Sequence, residues 1–492
     1  MRPRKVYKAL WKNPFYSMLS FQSIKKVSKQ YNNMLHKIIS VLLFSYSLSN
    51  AQKSTESCPP LPPEELSSRD RAIWEQPVCL CPSGRPISYG RLIEGAIIKI
   101  KPYGYVKNEI YWDTRQVAGF RDGHVLLFPR PELIDPFKGD INAHGTWQMT
   151  AIETRVGIAL NGPEWNCYKT DGLIEGDFRG ITDGTSGTFR LRNAFGRISW
   201  ETGSILFGQW WHPLWILECF PHTVSFNVGA PMDPQARQPQ LRLTQRWNWF
   251  ELIAALASQR DFASNGPLGI STDYIRNSRT PNLHLQMRAY GNDEDTLVGL
   301  ALDYLRLCPR IESDTGYSVD ESVGALTFEV FAACKYAPWS LRSKAFWSQN
   351  GNDQILISGF GVRTVEPITD RRTYSATAAV GAWLDFSYLF GCDNKEIGCF
   401  TGWTKNLGSQ DRLFIDPKTE QPLLFALTSF GKNIEYVWRI SPRFVFKKDP
   451  IRFGAELEIT QSSFGKLNTF GRVTNGTPVT AYRILLALYY MF

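Results

Sequence analysis

The chain has 492 residues, with 55 Lys or Arg against 46 Asp or Glu and a formal net charge of +9. Nine of the basic residues (Arg2, Arg4, Lys5, Lys8, Lys12, Lys25, Lys26, Lys29 and Lys37) fall in the first 50 positions, which hold no acid, so the remainder is balanced at 46 against 46. A balanced body excludes the net basic footprint that a nucleic-acid partner requires, and no run of about 18 apolar residues follows Ala51 to make a helical membrane span.

In chain order, residues 1–33 read as a basic N-terminal extension. Residues 34–51 read as a secretory signal peptide: Met34 and Lys37 precede the apolar run Ile38–Leu48, and Ser49, Asn50 and Ala51 supply a small-residue cleavage site. Residues 52–95 are rich in Pro and polar groups (Pro59, Pro60, Pro62 and Pro63 cluster here) and read as an extended periplasmic leader. All nine Cys follow the signal, in an exported compartment that permits disulfides. Cys392 and Cys399 flank a polar loop and are the candidate pair.

From residue 96 onward the pattern changes to runs of about ten residues that alternate apolar and polar, the period of a strand with two unlike faces. Tyr105, Lys107, Glu109, Tyr111 and Asp113 oppose Val106, Ile110 and Trp112. Ile152, Thr154, Val156, Ile158 and Leu160 oppose Glu153, Arg155 and Gly157. Glu175, Asp177 and Arg179 alternate with Ile174 and Phe178, Arg190 and Arg192 with Phe189 and Leu191, and Arg242 and Arg246 with Leu241 and Trp247. Further runs lie near 249–259, 281–290, 296–307, 323–335, 339–347 and 372–388. Near the end, Trp438, Ile440, Phe444 and Phe446 oppose Arg439 and Arg443. After the short turn Lys447–Pro450, Ile451, Phe453, Leu457 and Ile459 oppose Arg452, Glu456 and Glu458.

In the last run, Phe492, Tyr490, Leu488, Leu486, Ile484 and Tyr482 share one face, and Arg483 lies on the other. An apolar stripe with aromatics at both ends, backed by an ionic stripe, is how a transmembrane β-strand looks. The connections alternate short turns with long segments (261–280, 308–322, 348–371 and 461–478). These features predict an all-β, transmembrane antiparallel β-barrel of about 16 strands over residues 96–492, in the cell outer membrane, with lipid outside and water inside.

Leu191 to Trp200 followed by Gly203 to Pro213, together with Tyr103–Lys107, Asp113–Arg115 and Glu175–Phe178, resembles the trimeric porins of Gram-negative outer membranes, in particular the DcaP-like group. The resemblance spans most of residues 96–220 and the terminal strand; the N-terminal coiled coil of some such porins is missing. It implies a sixteen-stranded homotrimeric channel for small solutes, without catalysis. It also implies a terminal strand read by the barrel-assembly machinery, here Phe492, Tyr490 and Leu488.

By strand parity, Lys107, Glu109, Glu153, Arg155, Glu175, Asp177, Arg179, Arg190, Arg192, Arg242 and Arg246 face the lumen and are the candidate pore-lining or constriction residues. Charges ringing a constriction set selectivity, and the arginines favour anionic solutes. A basic ladder opposite a carboxylate cluster would set up a transverse field, with either the 121–140 insert or the 221–239 segment folded inward. The plainer reading of each Arg is a lumen ion pair that holds strand register. Glu175 and Asp177, ~6–7 Å apart by strand rise, also have a carboxylate-pair spacing for glycoside hydrolysis, but no nucleophile–base arrangement, metal spacing or cofactor motif accompanies them. His212, after two tryptophans, reads as an interfacial girdle residue, and the other histidines have no partner at a telling spacing. The alternative is a soluble secreted β-protein that binds or hydrolyses polysaccharide; another is a barrel without an open pore.

Overall fold

A computed structural model describes residues 98–164, 167–291, 295–391, 394–426 and 433–492. The basic extension, the signal peptide, the Pro-rich leader up to 95 and Cys392 lie outside them. Sixteen antiparallel strands close into a barrel. They are β1 (Lys99–Asp113), β2 (Thr146–Thr150 and Arg155–Asn161), β3 (Lys169–Asp177), β4 (Arg190–Trp200), β5 (Gly203–Trp211), β6 (Arg237–Trp247), β7 (Phe250–Ala257), β8 (Asn282–Tyr290), β9 (Thr296–Leu307), β10 (Val323–Tyr336), β11 (Trp339–Gln349), β12 (Arg372–Phe390), β13 (Lys395–Ser409), β14 (Ile434–Lys448), β15 (Ile451–Leu467) and β16 (Val473–Met491). Among the described residues no helix is long and apolar enough to cross a membrane; the strands make the crossing.

Each strand pairs with its neighbour in sequence, and the ring closes where β16 meets β1, from Tyr105↔Met491 to Asp113↔Arg483. Gly104 and Phe492 extend the seam by exchanging both backbone hydrogen bonds at 3.0 Å. A glycine is required there: a Cβ at 104 would lie 2.4 Å from the Arg155 carbonyl oxygen and 2.7 Å from the Phe492 ring. At one end of the barrel the turns at 201–202, 248–249, 337–338 and 449–450 are two residues long, whereas the connections 114–145, 212–236, 258–281 and 350–371 at the other end are long. Two expectations change. Residues 461–478 are mostly strand, because β15 and β16 stay paired up to Leu467↔Val473; Ser and Thr side chains do not interrupt a ladder made of backbone groups. Residues 151–154 break β2 into halves that pair with opposite ends of β1.

Parity then sorts the side chains. Val106, Trp112, Ile158, Leu191, Phe207, Leu300, Ile484 and Leu488 are all between 42 and 53 % exposed on the outside. Trp247, Trp249, Tyr336, Trp339, Tyr490 and Phe492 ring the short-turn end, and Trp112, Trp147 and Tyr482 the other. Tyr482 and Tyr490 are ~27 Å apart along β16 by strand rise, which barrel tilt shortens to ~20 Å, close to the apolar band of such barrels. So continuous an apolar exterior overturns the soluble-protein alternative.

The lumen is not simply wet. The hairpin Val117–Phe120/Val125–Pro129, the 212–236 segment and residues 350–359 all fold inward. Val125, Leu127, Phe128, Phe226, Ala230, Met232, Ile355 and Ile357 from these three inserts pack into one apolar cluster with Val437, Phe464 and Val479 of the wall. Of the two segments expected to enter, both do so in part. Residues 130–145 stay outside, with Phe137 93 % exposed, and 350–359 is an unforeseen third.

Candidate functional site in the barrel interior

The hairpins between neighbouring strands set the site. On β1, two-residue spacing turns Lys107 and Glu109 inward together. The Lys107 ammonium lies 2.9 Å from Glu109 Oε1 and 2.5 Å from Glu153 Oε2, and donates to the Val224 carbonyl of the inner segment at 3.1 Å. Tyr105 donates to the other Glu153 oxygen at 3.0 Å, and His124 from the inward hairpin hydrogen-bonds Glu109. One lysine thus serves two buried carboxylates and tethers the central segment.

On β3 and β4 the register places Arg190 directly across from Asp177. Arg190 grips Asp177 through Nε at 2.7 Å and Nη2 at 3.2 Å; Arg192 bonds Glu175 at 2.9 Å and Asp177 at 2.8 Å. Glu175 also accepts from Tyr103 and Asn193, both at 2.9 Å, and Arg155 lies 3.7 Å away. Asp261 joins Arg190 (2.9 Å) to Arg237 (2.6 Å). The arginines are therefore not ranged across the lumen from these carboxylates. They adjoin them, because hairpin neighbours of like parity face the same way. Arg179 is the exception. It is 3 % exposed, forms no ion pair among the described residues, and lays its guanidinium 3.4 Å from the centre of the Phe226 ring. Arg242 and Arg246 face inward nearer the short-turn end, half-buried. Arg242 donates to the Trp211 carbonyl at 2.5 Å, and Arg246 lies over the Tyr290 ring at 4.5 Å.

Elsewhere around the ring the balance reverses. Lys344 on β11 reaches Asp233 of the inner segment at 2.9 Å, Glu329 of β10 at 3.5 Å and the Leu214 carbonyl at 2.8 Å, all buried. Asp303 on β9 sits opposite His284 on β8. His212 is 1 % exposed and points inward at this pair, with Nε2 3.6 Å from Asp303 Oδ1. This corrects its reading as a girdle residue: it begins the inward segment, after the strand has left the lipid face. Arg439 donates to the carbonyls of Ala230, Leu126 and Leu127 at 2.9–3.0 Å, and Glu456 accepts from the backbone of Val224 and Ser225. Lys344, Glu329, Asp233, Asp303, Arg439 and Glu456 were missed as site residues. Arg439 and Glu456 already showed inward parity; Lys344, Asp303, Arg439 and Glu456 each meet an insert, and Asp233 belongs to one, along paths no local pattern reveals.

Phe492, Tyr490 and Leu488 are 41–52 % exposed on the lipid face. Cys399 is a free thiol; Cys392, its expected partner, lies outside the described residues.

No protein-family model matches the chain, and no curated protein sequence matches it. Among solved structures, the outer membrane channel DcaP of Acinetobacter baumannii aligns with a TM-score of 0.57 at 16 % identity, covering 82 % of this chain and 99 % of that one. OmpT of Vibrio cholerae aligns at 0.47 and 12 % identity, over 82 % of this chain and 100 % of its own. An anion-selective porin from Comamonas acidovorans aligns at 0.46 and 8 %, over 80 and 100 %. The likeness to DcaP, together with the apolar exterior, establishes that this chain has the fold of an outer-membrane porin barrel.

Proposed function

We propose that the chain is an outer-membrane porin: a narrow passive-diffusion channel for small hydrophilic solutes with a preference for anions, without catalysis. The carrying observation is Arg179, a buried guanidinium inside the barrel that forms no ion pair among the described residues and whose Nε has no hydrogen-bond partner. Holding such a charge away from water costs several kcal/mol unless something compensates it, and a passing anion does so. Non-catalytic use fits the engagement of Glu175 and Asp177, each held by guanidinium hydrogen bonds rather than free to transfer protons. A homotrimer and insertion by the assembly machinery through Phe492, Tyr490 and Leu488 rest on the sequence resemblance, and export rests on the signal-peptide pattern of residues 34–51. The test is a planar bilayer under a salt gradient: conductance with an anion-signed reversal potential supports the reading, and a cation-signed potential refutes the preference.

A second reading has its own observation. The apolar cluster shared by the three inserts favours a barrel that is closed at rest. Insertion without conductance supports it.

A further inference from the structure

We infer that His212, His284 and Asp303, joined by the Asn282 side-chain oxygen, form a binding site for a divalent transition-metal ion of the zinc type, which fastens the start of the 212–236 segment to the barrel wall. Three parts of the chain converge there. β8 and β9 are paired so that His284 faces Asp303; Asn282 shares the inward face of β8; and His212 enters from the segment that leaves β5. All are at most 6 % exposed.

The spacing fits the ion. His284 Nδ1 is 3.1 Å and His212 Nε2 3.6 Å from Asp303 Oδ1, and His212 Nε2 is 2.9 Å from Asn282 Oδ1. One ligand atom from each of His212, His284 and Asp303 lies within 4.8 Å of the others. Four ligands at ~2.1 Å around a tetrahedral ion sit ~3.4 Å from one another, and the observed separations bracket that value. Two imidazoles with two oxygens suit zinc, cobalt or nickel; calcium would ask for six or more oxygens. The Asn282 amide nitrogen donates to Asp303 Oδ2 at 2.6 Å, orienting the carboxylate from behind as outer-shell partners of metal sites do.

The chain contains a comparison of its own. Glu109, His124 and Glu153 also converge at ligand spacing, but the Lys107 ammonium already stands between the carboxylates. Asp303 has no such cation: its only ion-pair partners among the described residues are the two histidines, and His284 Nε2 is buried without a hydrogen-bond partner. Binding has two local costs: ligation through His284 Nδ1 leaves that ring's proton on Nε2, which is buried without an acceptor among the described residues. Ligation through His212 Nε2 moves the ring proton to Nδ1, which gives up the 3.3 Å hydrogen bond from the Leu214 N–H.

The experiment uses the full chain in detergent, stripped with a chelator and titrated with Zn2+ by calorimetry, with Co2+ absorption as a coordination probe. One ion per chain, tetrahedral cobalt bands, and loss of at least ~100-fold in affinity in both His284→Gln and Asp303→Asn are expected, while His124→Gln binds as the parent does. Heat-modifiable migration in SDS verifies that each variant is folded. Absence of stoichiometric binding, or binding unaffected by His284→Gln and Asp303→Asn in folded protein, overturns the site and leaves an adventitious ion only.

Discussion

On the β3–β4 side of the lumen, Asp177 is shared by two guanidiniums while Arg179 forms no ion pair among the described residues. On the β9–β11 side, Lys344 is shared by two carboxylates while Asp303 has neither Lys nor Arg among the described residues. Each side pairs most of its ions, and the two that stand apart here, Arg179 and Asp303, differ in sign. Ion pairs this deep are worth about 4 kcal/mol at 4 Å for an effective dielectric near 20, so an unpaired ion is an expensive thing to keep. In the function proposed above Arg179 is the stop for a passing anion, and in the inferred metal site Asp303 holds the resident cation. The transverse field expected from the pattern of charges is therefore proposed between these surpluses rather than between the arginines and the acids they touch.

The contrast makes opposite demands on stability. Lys344→Met strips the cation from Asp233 and Glu329, both fully buried, and should cost ~3–5 kcal/mol, read as a lower denaturation midpoint in detergent. Arg179→Met replaces an unpaired cation on the Phe226 ring with an apolar chain, and the midpoint should stay level or rise by up to ~2 kcal/mol. If both variants fall equally, the two walls are not asymmetric. Selectivity gives the next effect: Arg179→Glu should lower the anion-to-cation permeability ratio about tenfold, the equivalent of ~1.4 kcal/mol, and an unmoved reversal potential removes Arg179 from the solute path.

A smaller effect lies in the connections outside the membrane. Arg310 clasps the 308–322 and 350–371 connections through Glu321 (2.7 Å) and Asp370 (2.7 Å). Burial pushes the Asp370 carboxyl up, but its hydrogen bonds from Arg310, the Asp314 backbone and Arg372 outweigh this and hold it below its usual value. A depressed carboxylate stabilises above its unfolded pKa of ~3.9 and loses that contribution as pH falls through the folded value. Limited proteolysis of these connections should therefore be slow at neutral pH and accelerate below about pH 4; pH-independent cleavage would show that the clasp holds nothing. Smallest of all, Cys399→Ser should leave the midpoint and the non-reducing mobility unchanged, and a changed mobility would restore a bond to this thiol.

Much of the barrel could be read from alternation alone. Tyr105 to Asp113 and Trp438 to Phe446 present their faces as their spelling requires, because a strand has only two sides and lipid accepts only one kind of residue. The same parity turned Arg190, Arg192, Glu175 and Asp177 inward, and hairpin adjacency explains why they bond one another. The 461–478 stretch misled because Ser, Thr and Gly read as loop while their backbone continued to pair. The joining of His212, His284 and Asp303 was not legible at all. It depends on a segment that leaves β5 and meets β8 and β9 around the ring, a contact set by barrel closure and not by any interval along the chain.

The 212–236 segment begins and ends on adjoining strands: Trp211 and Arg237 at its feet are directly paired, one strand spacing of ~4.8 Å apart. Its outer reach touches Lys107 on β1 and Glu456 on β15. It is a long arm on a narrow pivot, anchored at both ends, so it cannot be ejected from the cylinder as a free stopper. Lys344, Lys107 and Arg439 grip it from the wall at Leu214, Val224 and Ala230, so a substitution on those strands, and not only within the segment, acts on where it rests.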